Sequence, residues 1–243
     1  MADVHLLFPT PVYTNDLTPL FSEEKRLQLK RDMDSFFWDR DHDTYGNPNG
    51  YFLEDEYEDA LTNKREFQEL GHVIDREMDN YVHNFLQVSK RRHCLKRVNS
   101  WGNKSHKGDY THEHNHSNSD FSGVYYVNVP PKSGNELILH GFRSGPSWAW
   151  PNKEFDMEDI NQYNEVTTEM DATPGSIIMF PSHLYHSVGV SESPDVRYCI
   201  AFNYVVDGEF GGGTNYLKFK TFRKQDETSH SNCRSSGESD GYL

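Results

Sequence analysis

The sequence is poor in cysteine, in positive charge and in long apolar runs. Only three cysteines occur among 243 residues, Cys94, Cys199 and Cys233. They show neither a pairing pattern nor the spacing of a zinc site. This excludes a disulfide-stapled scaffold and predicts a chain kept in a reducing cytoplasm. No stretch is apolar for long enough to span a bilayer, and no signal-peptide pattern opens the chain, so no membrane partner is expected. The 24 Lys and Arg are outnumbered by 38 Asp and Glu, for a formal net charge of −14. Such a surface repels phosphate backbones, and nucleic-acid binding is therefore not expected. The one basic run, Lys90-Arg91-Arg92-His93 with Lys96 and Arg97, is short and reads as a solvated connection.

Aromatic residues are not scarce. They make up 14% of the chain, and Phe and Tyr bury large areas in β cores. The length suffices for one large β-rich domain or two small ones. Residues 4–13 read as extended, because Pro9 and Pro11 exclude helix. Ser22 is placed to cap a helix with Glu23 and Glu24 in its first turn and an apolar stripe of Leu29, Met33, Phe36 and Phe37. Asn63 is placed to cap a second helix, with Phe67, Leu70, Ile74, Tyr81 and Phe85 on one face and His72 and His83 as surface or interface residues.

From about residue 95 the period changes from helical to alternating. Strands are expected over 96–103, 122–129, 135–140, 166–171, 176–180 and 197–206. Helices followed by strands give an α+β chain, its helices buttressing one face of a barrel or double sheet. Residues 141–165 form a long insertion that reads either as a lid or as a plain surface excursion. Gly211-Gly212-Gly213 and the polar tail from Asp226 read as flexible. The expected organisation is a single domain over 1–225, with a helical part at 14–93, a β core at 94–206 and a tail at 226–243.

Two separated motifs carry chemistry. The first runs Gly108-Asp109-Tyr110-Thr111-His112-Glu113-His114-Asn115-His116. In an extended backbone alternate residues share a side, so His112, His114 and His116 would line one face, and two neighbours could reach one metal ion. Neutral imidazole suits iron, zinc, copper and nickel. The second motif holds Phe180-Pro181-Ser182-His183-Leu184-Tyr185-His186 and continues to Arg197. A close histidine pair plus a distant histidine is a common way to build a three-ligand site with open positions. His186 is the preferred late ligand and His183 its substitute. Arg197 shares a strand face with Cys199, Ala201 and Asn203, while Tyr198, Ile200 and Phe202 face the other way. Val124, Tyr126 and Asn128 share a face on an earlier strand.

The combination resembles the iron(II)- and 2-oxoglutarate-dependent oxygenases, in particular a bacterial and phage group without assigned substrates. The matching elements are Leu7 to Tyr13, His114-Asn115-His116, Ser122-Gly123-Val124-Tyr125-Tyr126, Phe180-Pro181-Ser182, His186, Arg197 and Phe202-Asn203. The resemblance spans residue 7 to about 205. It implies a double-stranded β-helix (jelly-roll, cupin-like) barrel, with iron(II) and 2-oxoglutarate as cofactors and O₂ as cosubstrate. Ascorbate would have a supporting role, and the location would be the host cytoplasm if the chain is phage-encoded. It implies His114, His116 and His186 as catalytic metal ligands, Arg197 as partner of the distal carboxylate of 2-oxoglutarate, and Tyr126 beside it by likeness to prolyl hydroxylases. The implied reaction is hydroxylation of a substrate that the sequence does not identify.

One departure stands out. No histidine is followed two positions later by Asp or Glu, so the usual carboxylate ligand is missing. His116 takes its place, or water does, or Glu113 or Asp120 folds back; His112 is the reserve histidine. Rival readings are a cupin-like metal dioxygenase or isomerase that does not use 2-oxoglutarate, a non-catalytic jelly-roll binding or phage structural module, and a zinc hydrolase. A cupin would not need Arg197.

Overall fold

The aromatic and β-branched runs become the centre of a large antiparallel sheet, as their strand preference dictates. The computed structural model describes residues 3–6, 9–35, 50–51, 61–141 and 156–221. Its strands are β1 (Tyr13–Asp16), β2 (Gly50–Tyr51), β3 (His93–Ser105), β4 (Thr111–His114), β5 (Phe121–Asn128), β6 (Leu137–His140), β7 (Thr167–Met170), β8 (Ser176–Pro181), β9 (His186–Val188), β10 (Arg197–Phe210) and β11 (Leu217–Phe219). The major sheet has the order β1-β8-β5-β10-β3-β2, with β11 added to the far end of β10. The minor sheet has the order β4-β9-β6-β7.

Period-two alternation sorts the major sheet into two cores. Tyr125, Val127, Ile177, Met179, Ile200, Phe202 and Tyr204 pack on one side against the helices. Val124, Tyr126, Ile178, Phe180 and Cys199 face the opposite way and meet Leu137 and Leu139 of the minor sheet. A sheet buried on both faces reads as a near-continuous apolar run in sequence, as Val124 to Val127 does. Gly123 is required between β8 and β10. A Cβ there would lie 2.6 Å from the Phe202 ring and 2.7 Å from the Ile178 carbonyl oxygen.

Helix α1 (Glu23–Asp34) is capped by Ser22, whose side chain accepts from the Lys25 amide. It buries Leu29 and Met33 as expected; Phe36 and Phe37 lie outside the described residues. Helix α2 (Gln68–Asp79) buries Leu70, Ile74 and Met78. Asn63 does not cap it. That residue sits in a preceding 3₁₀ turn, and the residue before α2 is Phe67. After α2 the chain continues as a π-helical turn over Asn80–Phe85. The wider i→i+5 winding rotates the apolar stripe out of phase. Tyr81 and Val82 stay buried, whereas Phe85 is 66% exposed. The same turn buries His83, and its Nδ1 lies 2.7 Å from the Val88 carbonyl oxygen.

All six expected strands form. The short β1, β2, β9 and β11 escaped the alternation criterion, being only two to four residues long. The glycines at 211–213 make a turn into β11 rather than a loose segment. Cys94 is disulfide-bonded, which no sequence spacing foretold. Cys199 is a buried free thiol. Among the described residues, no helix is long and apolar enough to cross a membrane. Of the 141–165 insertion, residues 142–155 lie outside the described residues, and the lid reading falls mostly there.

Candidate metal centre

Register brings the two motifs together. Strand β4 pairs antiparallel with β9, and His114 stands directly opposite His186. Their ring centroids are 4.3 Å apart. His116 follows β4 and completes a triangle, at 5.3 Å from His114 and 5.0 Å from His186. One ligand atom from each of the three lies within 4.8 Å of the others.

His112 does not join them. The β4–β9 register pairs Thr111 with Val188 and His114 with His186, so His112 and Glu113 together stand opposite the single Ser187. Such a bulge breaks the alternation on which the three-histidine face depended. His112 is exposed and meets Tyr110 edge-on at 4.9 Å. His183 is also exposed and outside the cluster. The two carboxylates that were candidates to fold back are engaged elsewhere. Glu113 lies 3.4 Å from Nδ1 of His140. Asp120 accepts the Val206 amide at 2.7 Å. No carboxylate enters the cluster among the described residues.

Each imidazole is oriented through Nδ1. His114 Nδ1 meets the His112 carbonyl oxygen at 2.8 Å, and His186 Nδ1 meets that of Leu184 at 3.0 Å. His116 Nδ1 lies 2.6 Å from Asn203 Oδ1 and 2.9 Å from Ser122 Oγ. A carbonyl oxygen can only accept, so Nδ1 carries the proton and Nε2 carries the lone pair. Partners of this kind set the tautomer of metal-binding histidines. The anchor of His116 is itself networked. Ser122 Oγ donates to Asn203 Oδ1 at 2.7 Å and lies 2.7 Å from Ser182 Oγ, which accepts from Ser119 at 2.8 Å. The His116 amide donates to the Ser182 carbonyl at 3.0 Å. His114 and His186 thus belong to the minor sheet, while His116 is pinned to the major one.

Burial keeps the three rings neutral. It lowers the pKa of His114 and His116 and takes His186 down to about 3, with the neighbouring His114 adding to the effect. Neutral rings with directed lone pairs fit a divalent first-row metal.

The second constellation lies at the start of β10. Arg197 is buried, and its guanidinium carbon is 5.7 Å from the centroid of the Tyr126 ring. Its Nη1 donates to the Asn135 carbonyl at 2.6 Å, while its buried Nε has no protein partner. Burial raises the Tyr126 phenol well above its usual pKa, so it stays a donor. The Phe180 ring, 4.9 Å from His186, belongs to the same inter-sheet core as Tyr126 and Cys199. The histidines and the arginine therefore both adjoin one inter-sheet core. The expected face of Arg197, Cys199 and Asn203 is the one observed. Sequence reasoning had given no role to Ser122, Ser182 or Asn203 as anchors of His116, nor any place to Asn135. The period-two relation of Asn203 to Arg197 was the available signal.

Comparison with solved structures supports the fold. A prolyl-4-hydroxylase from Pseudomonas putida aligns at 11% identity over 80% of this chain and 92% of its own, with TM-score 0.52. HygX from Streptomyces hygroscopicus, solved with nickel and 2-oxoglutarate bound, aligns at 8% identity over 81% and 83%, with TM-score 0.51. An oxidoreductase of the 2OG-Fe(II) oxygenase family from Burkholderia pseudomallei aligns at 11% identity over 65% of this chain and 64% of its own, at a TM-score of 0.45 that is too low to weigh. No curated protein matches the sequence. These likenesses identify the two-sheet architecture as a double-stranded β-helix. Residues 99–203 match a family described as "Putative 2OG-Fe(II) oxygenase". That segment runs from β3 to Asn203 and contains all three clustered histidines and Arg197. Over that segment, 105 of the 243 residues, the chain is similar to the iron(II)/2-oxoglutarate-dependent oxygenases.

Proposed function

We propose that this protein is an iron(II)- and 2-oxoglutarate-dependent dioxygenase that couples oxidative decarboxylation of 2-oxoglutarate to hydroxylation of a substrate, with His114, His116 and His186 as the metal ligands. The observation that carries the reading is the meeting of three imidazoles, His186 buried and His114 and His116 half-buried, each with Nδ1 engaged, within 4.8 Å. Bound iron(II) would supply an O₂-binding, redox-active centre with positions left open for the keto acid.

The chain's own residues supply position, charge and dryness. His114 and His186 are held by one strand pairing, so their separation is fixed by the backbone ladder. Asn203 and Ser122 hold His116 in the remaining place. A third imidazole, where the superfamily has a carboxylate, leaves the full dipositive charge of the metal uncompensated by protein. An anionic keto acid is then the natural counter-charge. Arg197 offers a permanently charged guanidinium to the distal carboxylate, and Tyr126 packs beneath it. Phe180, Ile178 and Val124 belong to the apolar core between the sheets, which would keep water out. 2-Oxoglutarate and O₂ are the small-molecule partners. The acidic surface, net −14, makes nucleic acid an unfavoured substrate.

The test is anaerobic titration of the metal-free protein with iron(II), with and without 2-oxoglutarate. About one iron(II) per chain and a visible charge-transfer band that needs both components are expected. Iron binding without that band would instead favour a metal enzyme of cupin type.

A further inference from the structure

The cosubstrate end of the site contains more unsatisfied polarity than Arg197 alone. Asn135 is only 1% exposed, yet neither Oδ1 nor Nδ2 of its side chain has a hydrogen-bond partner. Buried amides are rarely left so, because an unmade hydrogen bond in a dry interior costs the full desolvation of the group. Its direction follows from the strand that it leads into. The 133–136 segment continues the pairing of β6 with β9: Gly189 donates to the Glu136 carbonyl and Glu192 to that of Ser133. Asn135, Leu137 and Leu139 are spaced by two and all buried, and both leucines belong to the inter-sheet core. The Asn135 side chain therefore points into the same space. Its own carbonyl accepts from Arg197 Nη1 at 2.6 Å, so the two residues meet across the sheets. Arg197 Nε is likewise buried without a partner.

We propose that Asn135 is a specificity-determining residue for the keto acid, donating from Nδ2 to the distal carboxylate that Arg197 holds. This inference rests on the 2-oxoglutarate reading above. A carboxylate only accepts, and the two amide hydrogens of Asn135 with the Nε–H of Arg197 only donate. The group that satisfies these orphan donors is thus an anion with several lone pairs, at the end of a chain short enough to lie between the sheets. An apolar terminus would leave all of them unpaired. Asn135 thereby selects a 2-oxo dicarboxylate over a 2-oxo monocarboxylate.

The test uses the full chain loaded with nickel(II) and measures keto-acid binding by anaerobic calorimetry. The ligands are 2-oxoglutarate and 2-oxopentanoate, which has a methyl in place of the distal carboxylate. Asn135→Leu, which keeps the branched shape and removes both orphan groups, should weaken 2-oxoglutarate at least ~10-fold, a cost of about 1.4 kcal/mol, and leave 2-oxopentanoate unchanged. The thermal midpoint of its ligand-free form should hold or rise, since a merely structural asparagine would lower it. Asn135→Ser, a smaller change, should weaken 2-oxoglutarate in the same selective way and serves if the leucine variant does not fold. Unchanged 2-oxoglutarate affinity in the Asn135 variants, with Arg197→Gln clearly weakened, overturns the role of Asn135 and keeps the cosubstrate site. Unchanged affinity in Arg197→Gln as well overturns the cosubstrate reading itself. Equal weakening of both keto acids marks general damage and also rejects the proposal.

Discussion

Replacing His116 is the sharpest test of the proposed metal centre, because this residue stands two positions after His114, where the oxygenases that the sequence resembles carry a carboxylate. His116→Ala removes one of three imidazoles. It also leaves Asn203 Oδ1 and Ser122 Oγ, at 2.6 and 2.9 Å from Nδ1, without their ring partner. Loss even of a residue that orients a ligand typically costs 10–100-fold in metal affinity, about 1.4–2.7 kcal/mol. Loss of the ligand itself should reach or exceed the upper figure. Asn203→Leu should fall within the range, since His116 keeps Ser122 but loses its closer anchor. His116→Asp should retain the metal, as it restores the carboxylate that the sequence lacks. The assay is competitive titration with iron(II) or manganese(II) under argon, with thermal unfolding of the metal-free forms as a check on folding. Unchanged affinity in His116→Ala would refute the assignment. If His112→Ala proved the damaging change instead, the bulge in β4 would be wrongly placed. If both were silent, the metal would be held by two histidines and water.

Two further outcomes follow from burial and packing. In chelator, stability should fall as pH drops below about 6.5, the usual histidine value. Burial lowers the folded-state pKa of His186 to about 3, so between those values the unfolded chain binds the extra proton and is favoured, and above 6.5 the full stability is present. The wild-type slope should exceed that of His186→Gln by on the order of 1.4 kcal/mol per pH unit, measured by urea unfolding at pH 4.5–7; parallel profiles would exclude a buried neutral His186. Gly123→Ala should cost roughly 1–3 kcal/mol, because its Cβ would press on the Phe202 ring and the Ile178 carbonyl at 2.6 and 2.7 Å. Calorimetry should show a clear fall in Tm, and an unchanged value would mean that the β8–β5–β10 packing is looser than described.

What the sequence determined is what local periodicity can carry. Alternation alone set Ile200 and Phe202 against Arg197 and Cys199 on one strand and put Val124 and Tyr126 on a common face of another, because successive side chains of a strand must point oppositely; that Val124, Tyr126 and Cys199 share one core was decided by the pairing of the strands. The Ser22 cap and the Leu29 and Met33 stripe of α1 were readable for the same reason: they depend on neighbours within one or two turns. The spacing of His114, His116, His186 and Arg197 was legible as a pattern. Its arrangement was not, since that depends on which strand pairs with which and in what register. Only the β4–β9 pairing sets His114 against His186, and only the bulge in it removes His112. Asn203 anchors His116 from 87 positions away. The π-helical turn that exposes Phe85 and buries His83 follows the same rule. Such features are fixed by long-range packing, where a backbone accepts a local irregularity because distant partners satisfy it. No window along the chain contains both halves of that bargain.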